Sequence, residues 1–165
     1  MTEPRILVAG IGNVFLGDDG FGVEVVRRLA ERPPEPGVRV GDFGIRGFDL
    51  ACAMLEPWDL VVLVDVVRRG GSPGTLYLIE VPEGEGVAAG FEAHGMAPSQ
   101  VFRAVRALGG GIRNVFLVGC EPEDFGDPVA GRMGLGGVLA TAVEGAIGMI
   151  DALLRRKREE LRVHA

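Results

Sequence analysis

The chain has 165 residues, of which 47% are hydrophobic and 24% charged, with a formal net charge of -6. That length and balance fit one folded domain over 1–165 and exclude a disordered chain. The acidic balance argues against a cleft for nucleic-acid phosphates. No uninterrupted apolar run reaches the ~18 residues of a membrane span. The opening Met1-Thr2-Glu3-Pro4 lacks the charge and apolar stretch of a signal peptide. Cys52 and Cys120 provide no disulfide framework and fit a reducing compartment. The expectation is a cytoplasmic monomer with no nucleic-acid or membrane partner.

In chain order, Arg5 to Ala9 is a short apolar run that reads as a strand buried on both faces. Gly10 to Gly20 follows as a glycine-rich loop. Phe21 to Arg32 has helical periodicity, with Val25, Val26 and Leu29 on one face, and the prolines from Pro33 on end it. Val38 to Asp42 reads as a second strand, Gly44 to Gly47 as a turn, and Phe48 to Leu55 as a short helix. Leu60 to Val64 gives the strongest buried-strand pattern and runs into Asp65. Thr75 to Val81 is a fourth strand. Only the nine residues Val66 to Gly74 precede it, fewer than the dozen or so a parallel crossover needs, so it should run antiparallel. A long loop spans Pro82 to Pro98. Ser99 is placed to cap a helix over Gln100 to Leu108, Val115 to Val118 is a fifth strand, and Gly137 to Leu161 is a final helix with a charged end. The alternation implies a mostly parallel sheet with helices on both faces. Ligands bind such sheets beyond the carboxyl ends of the strands, where strand order reverses.

That rule draws attention to the loops after the first and third strands. Gly10-Ile11-Gly12-Asn13 starts like a dinucleotide loop, but Phe15 stands where the third glycine is needed. Asp18 and Asp19, just before a helix, would repel a pyrophosphate. One of them is expected to cap the helix while the other stays open to a metal or proton. Asp65 emerges at the end of the most buried strand, where desolvation raises a carboxyl pKa unless a cation offsets it. His94 lies in the long loop, and the other histidine, His164, is near the C-terminus. Two carboxylates and one histidine converging at one end of the sheet would suit zinc or nickel, with positions left for substrate. Cys52 and Cys120 read as packing residues. Arg46, between turn glycines, is placed to contact a peptide chain.

ILVAGIGNVFLGDDGFG over residues 6 to 22 resembles the opening of the hydrogenase maturation protease family: a strand, G-x-G-N, an acidic pair and G-x-G. LVVLVDVVRRGGSPGTLYLIE, AHGMAP and VFLVGCEPEDF resemble its aspartate-ending strand, histidine loop and late strand with the following P-E turn. Gly44 to Gly47 matches a segment linked to substrate choice. The resemblance implies a three-layer α/β/α domain of the phosphorylase/hydrolase-like kind, with a five-stranded, mostly parallel sheet and one antiparallel strand.

It also implies an endopeptidase that trims the C-terminal extension from the large-subunit precursor of a nickel-iron hydrogenase. Asp19, Asp65 and His94 would be both the metal-contacting and the catalytic residues. The nickel would come with the loaded precursor rather than reside in the protease. It would position the chain and polarise a carbonyl or a water, with Asp19 or Asp65 as the general base. The alternative is a non-catalytic chaperone of the same fold that checks nickel loading without cutting. A nucleotide-binding domain is the third reading.

Overall fold

The computed structural model describes residues 2–84 and 98–164. Five strands, β1 (Ile6–Ile11), β2 (Val38–Gly44), β3 (Leu60–Val66), β4 (Leu76–Val81) and β5 (Val115–Cys120), form one sheet in the order β2-β1-β3-β5-β4. All neighbouring pairs are parallel except β4 with β5, which is antiparallel. The short connection after the third strand had predicted this. Strand order reverses between β1, which leads outward to β2, and β3, which leads the other way.

β1, β3 and β5 are buried along their whole length, as central strands covered on both faces must be. Their side chains alternate between two apolar layers. Ile6, Val8, Val62, Val64 and Phe116 face α1 (Phe21–Ala30) and α4 (Gly137–Val163). Leu7, Ala9, Val61, Leu63 and Leu117 face α2 (Gly47–Met54) and α3 (Pro98–Ala107). The result is the expected α/β/α sandwich.

The helix ends differ in detail from the sequence pattern. α1 ends at Ala30, and the amides of Glu31 and Arg32 tighten into three-residue turns on the carbonyls of Arg28 and Leu29. α3 begins at Pro98, whose fixed φ suits a first helical turn, so Ser99 lies inside the helix rather than before it. α4 is long and apolar enough to cross a membrane by length and composition alone. Its apolar face, from Leu139 to Leu154, packs on the sheet. Its two intervening acids bind α1 and the turn after it: Glu144 pairs with Arg28 at 3.1 Å and Asp151 with Arg32, two residues beyond α1, at 3.0 Å.

Candidate functional site

The turn from β1 into α1 carries the first acids. Gly12 has φ +143°, and a Cβ there would overlap the Asp19 carbonyl oxygen, so both conformation and space require glycine. Its amide donates to the Gly44 carbonyl at 3.0 Å, tying this turn to the end of β2. Asn13 Oδ1 accepts the Phe15 amide at 2.9 Å and closes a tight Asx turn. A single 3-10 turn, Gly17–Gly20, then presents Asp18 and Asp19 and passes into α1. Neither acid caps that helix, contrary to the expectation from sequence: the N-cap is Gly20, with no side-chain cap bond. Both carboxylates are engaged elsewhere. Asp18 turns toward the segment after β5, while Asp19 Oδ2 accepts the Asn13 amide at 3.0 Å.

Gly22 explains the other end of the glycine motif. A Cβ there would overlap the carbonyl oxygens of Val64 and Ile11, so α1 lies directly against the ends of β1 and β3. The motif therefore brings backbone close to backbone, with the acids held at the closest point.

Asp65 is the penultimate residue of β3, in register with Gly119 of β5. It is 1% exposed, and Asp19 is 3% exposed. Burial, and after it the nearby Asp19 charge, hold the Asp65 pKa well above the usual carboxyl range, against a 2.8 Å hydrogen bond from the Val66 amide. Two carboxyl groups, one on the turn after β1 and one at the end of β3, thus meet at the strand-order reversal, both buried from solvent. Oxygen donors in that state favour a proton or a cation, and their chemistry fits a divalent metal. Among the described residues, no group of three or more His, Cys, Asp and Glu forms a metal-holding cluster. Asp19 and Asp65 supply two donors; the third predicted residue, His94, lies outside the described residues.

Glu121 stands out among acids that sequence reasoning left unassigned. It is buried and accepts the Arg69 amide at 2.8 Å and the Tyr77 hydroxyl at 2.9 Å. Burial alone would raise its pKa, but the Arg69 amide, the Tyr77 hydroxyl and the amides of Gly70 and Gly71 outweigh this and lower it. Glu121 thereby clamps the β3–β4 connection that follows Asp65. Its only sequence signal is the acid-rich stretch after the fifth strand.

Cys120 is fully buried in the α1/α4 layer, as expected, and burial with the charges of Asp18 and Glu121 pushes its thiol up to about 12. Cys52 corrects the packing expectation: it lies on the outer face of α2 and is exposed. Arg46 is exposed too, bonded to the Asp42 carbonyl and 3.5 Å from Asp49.

Comparison with known proteins places this geometry among relatives. The sequence profile of hydrogenase maturation proteases matches residues 23–152. The hydrogenase expression/formation protein HoxM of Azotobacter vinelandii is 37% identical over 131 residues, 77% of this chain, and the chain spans only 62% of that relative's length. A putative hydrogenase maturation protease of Methanocaldococcus jannaschii is 32% identical, covering 91% of this chain and 96% of its own. In three dimensions the hydrogenase-maturating endopeptidase HybD from E. coli aligns with a TM-score of 0.75 and 30% identity, over 92% of this chain and 93% of that one.

Proposed function

The chain belongs to the hydrogenase maturation protease family, and from that membership we propose that it removes the C-terminal extension of a nickel-iron hydrogenase large-subunit precursor after nickel insertion. The observation that carries this reading is the buried pair Asp19 and Asp65, two carboxylates at the strand-order reversal with Asp65 held above its ordinary pKa. Nickel arriving in the precursor offsets that repulsion, so a loaded precursor binds better than an empty one. His94 completes the nickel contacts in this proposal.

The chemistry follows from such a placement. The nickel, part of the substrate, fixes the scissile segment and polarises its carbonyl or an attacking water. One of the two carboxylates accepts the proton that the water gives up, and the leaving amine takes a proton as the peptide bond breaks. The C-terminal peptide departs. The proposal includes a monomer acting in the cytoplasm, which the two unpaired thiols support.

The test is co-expression with a candidate precursor, with and without nickel, followed by the mass of the large subunit. The proposal expects loss of a C-terminal peptide only with nickel, and no loss with Asp65→Ala. A stable nickel-dependent complex of unchanged mass would replace cleavage by a chaperone role. Thermal stabilisation by a nucleotide and not by nickel would favour the nucleotide reading.

A further inference from the structure

Asp18 is fully buried and stands beside the proposed nickel pair without belonging to it. Its Oδ2 accepts the amides of Glu123 and Asp124, each at 2.8 Å, and its Oδ1 accepts the amide of Gly136 at 2.9 Å. The Arg132 guanidinium lies 3.5 Å from Oδ1 and also binds the Asp124 carboxylate at 2.9 Å. Backbone bonds reinforce the same junction: the Asp18 amide donates to the Asp124 carbonyl and the Gly17 amide to the Arg132 carbonyl. One side chain thus joins the turn before α1 to the loop after β5 and to Gly136, the N-cap residue of α4.

A 3-10 turn has three residues per turn, so consecutive side chains diverge by about 120°. With Asp18 locked toward the 123–136 segment, Asp19 takes a different partner, the Asn13 amide, and lies within electrostatic reach of Asp65. We infer that Asp18 is a positioning residue: its three backbone hydrogen bonds hold the turn so that Asp19 stays beside Asp65. Without that carboxylate, three amides lose their acceptor and the turn can rotate. A shift of ~1 Å at a reacting centre costs on the order of 100-fold in rate.

The inference rests on the protease reading for its kinetic arm, but a second arm is independent of activity. The Asn13 amide donates to Asp19 Oδ2 at 3.0 Å, so its hydrogen exchange reports where the Asp19 carboxylate lies. Exchange would be followed by NMR in the full chain for the wild type, Asp18→Asn, Asp18→Ala and, as reference, Asp19→Ala. Asp18→Asn keeps the shape and one acceptor oxygen, which guards against a failure of Asp18→Ala to fold.

The expected result is faster Asn13 exchange by about tenfold in Asp18→Ala, near that of Asp19→Ala, and a smaller increase in Asp18→Asn, with β3 amides unchanged. In precursor processing, kcat should fall by about 10- to 100-fold with KM nearly constant, and Asp18→Asn should recover part of it. Unchanged Asn13 exchange, with faster exchange only at Glu123, Asp124 and Gly136, would overturn the inference and leave Asp18 as a loop staple. A loss confined to KM would also overturn it. If the wild type cuts no precursor, the protease reading falls, and the exchange arm still decides the role of Asp18.

Discussion

Asp19 reaches Asp65 electrostatically from the turn between β1 and α1, although the two are separated in sequence by a helix, a strand and another helix. Both are almost free of water, and each has a backbone amide as hydrogen-bond donor: Asn13 for Asp19 and Val66 for Asp65. Natural proteins keep such repelling pairs where function needs them, at a cost in stability.

Asp65→Asn therefore should make the protein more stable at neutral pH while abolishing processing. The folded pKa of Asp65 lies above its unfolded value. Its contribution to stability is then fully present below the unfolded pKa and is lost as pH rises through the folded one. Thermal unfolding of wild type and variant from about pH 4 to 8 checks this. The wild type should lose ground as pH rises, and the variant should lose less. A variant with a lower Tm at neutral pH would contradict the burial argument.

Asp19→Asn should bring the Asp65 pKa down toward its ordinary value without reaching it, because burial is the larger cause and remains. Carboxyl carbon NMR titration of the two proteins reads the difference directly. An unchanged Asp65 titration would mean that the two charges do not interact.

Nickel ions added to the free chain should bind more weakly as pH falls, since a carboxyl ligand must lose its proton. Calorimetry in buffers of different ionisation enthalpy should show a proton released on binding. Asp65→Asn should reduce both the proton release and the pH dependence without abolishing them, because the proposed ligand His94 must also be neutral to bind.

Two glycine substitutions should have opposite signs. Gly22→Ala pushes a methyl into the carbonyls of Val64 and Ile11 and should cost about 1–3 kcal/mol or more. Gly148→Ala, on the exposed face of α4 with open space around it, should stabilise by about 0.5–1 kcal/mol through helix propensity. Urea unfolding of both variants measures the difference.

The two thiols should separate cleanly. Cys52 is exposed, whereas Cys120 is buried with its pKa raised to about 12. A disulfide reagent at mildly alkaline pH should label one thiol quickly in the native protein and the second only on unfolding. Rapid labelling of both would place Cys120 outside the core.

Much of this molecule was legible because its signals are local. Leu60 to Val64 could only be a strand covered on both faces, and the short stretch before Thr75 left no room for a parallel crossover. The rule for strand-order reversal pointed to the loops after β1 and β3, which hold the Asp18–Asp19 pair and follow Asp65; the choice of Asp19 from that pair came from the family resemblance. The Cys52 reading failed because one helical turn does not say which way a small residue faces when its neighbours are all apolar. The capping expectation failed for a related reason. Asp18 and Asp19 match a cap by position, but acceptors follow the donors that are near, and those came from 123, 124 and 136 for Asp18 and from Asn13 for Asp19.

By itself, then, the sequence determined the elements, the direction of β4, the glycines where backbones touch and the acids at the sheet's end. Hydrophobic periodicity, chain length and the steric limits of a Cβ act within a few residues, so they can be read along the chain. Only the tertiary structure decided that Asp18 binds the start of α4, that Glu121 clamps the connection after Asp65, and that Asp65 titrates high. Hydrogen-bond partnership, desolvation and charge repulsion depend on which distant segments meet, and that is settled when the layers pack.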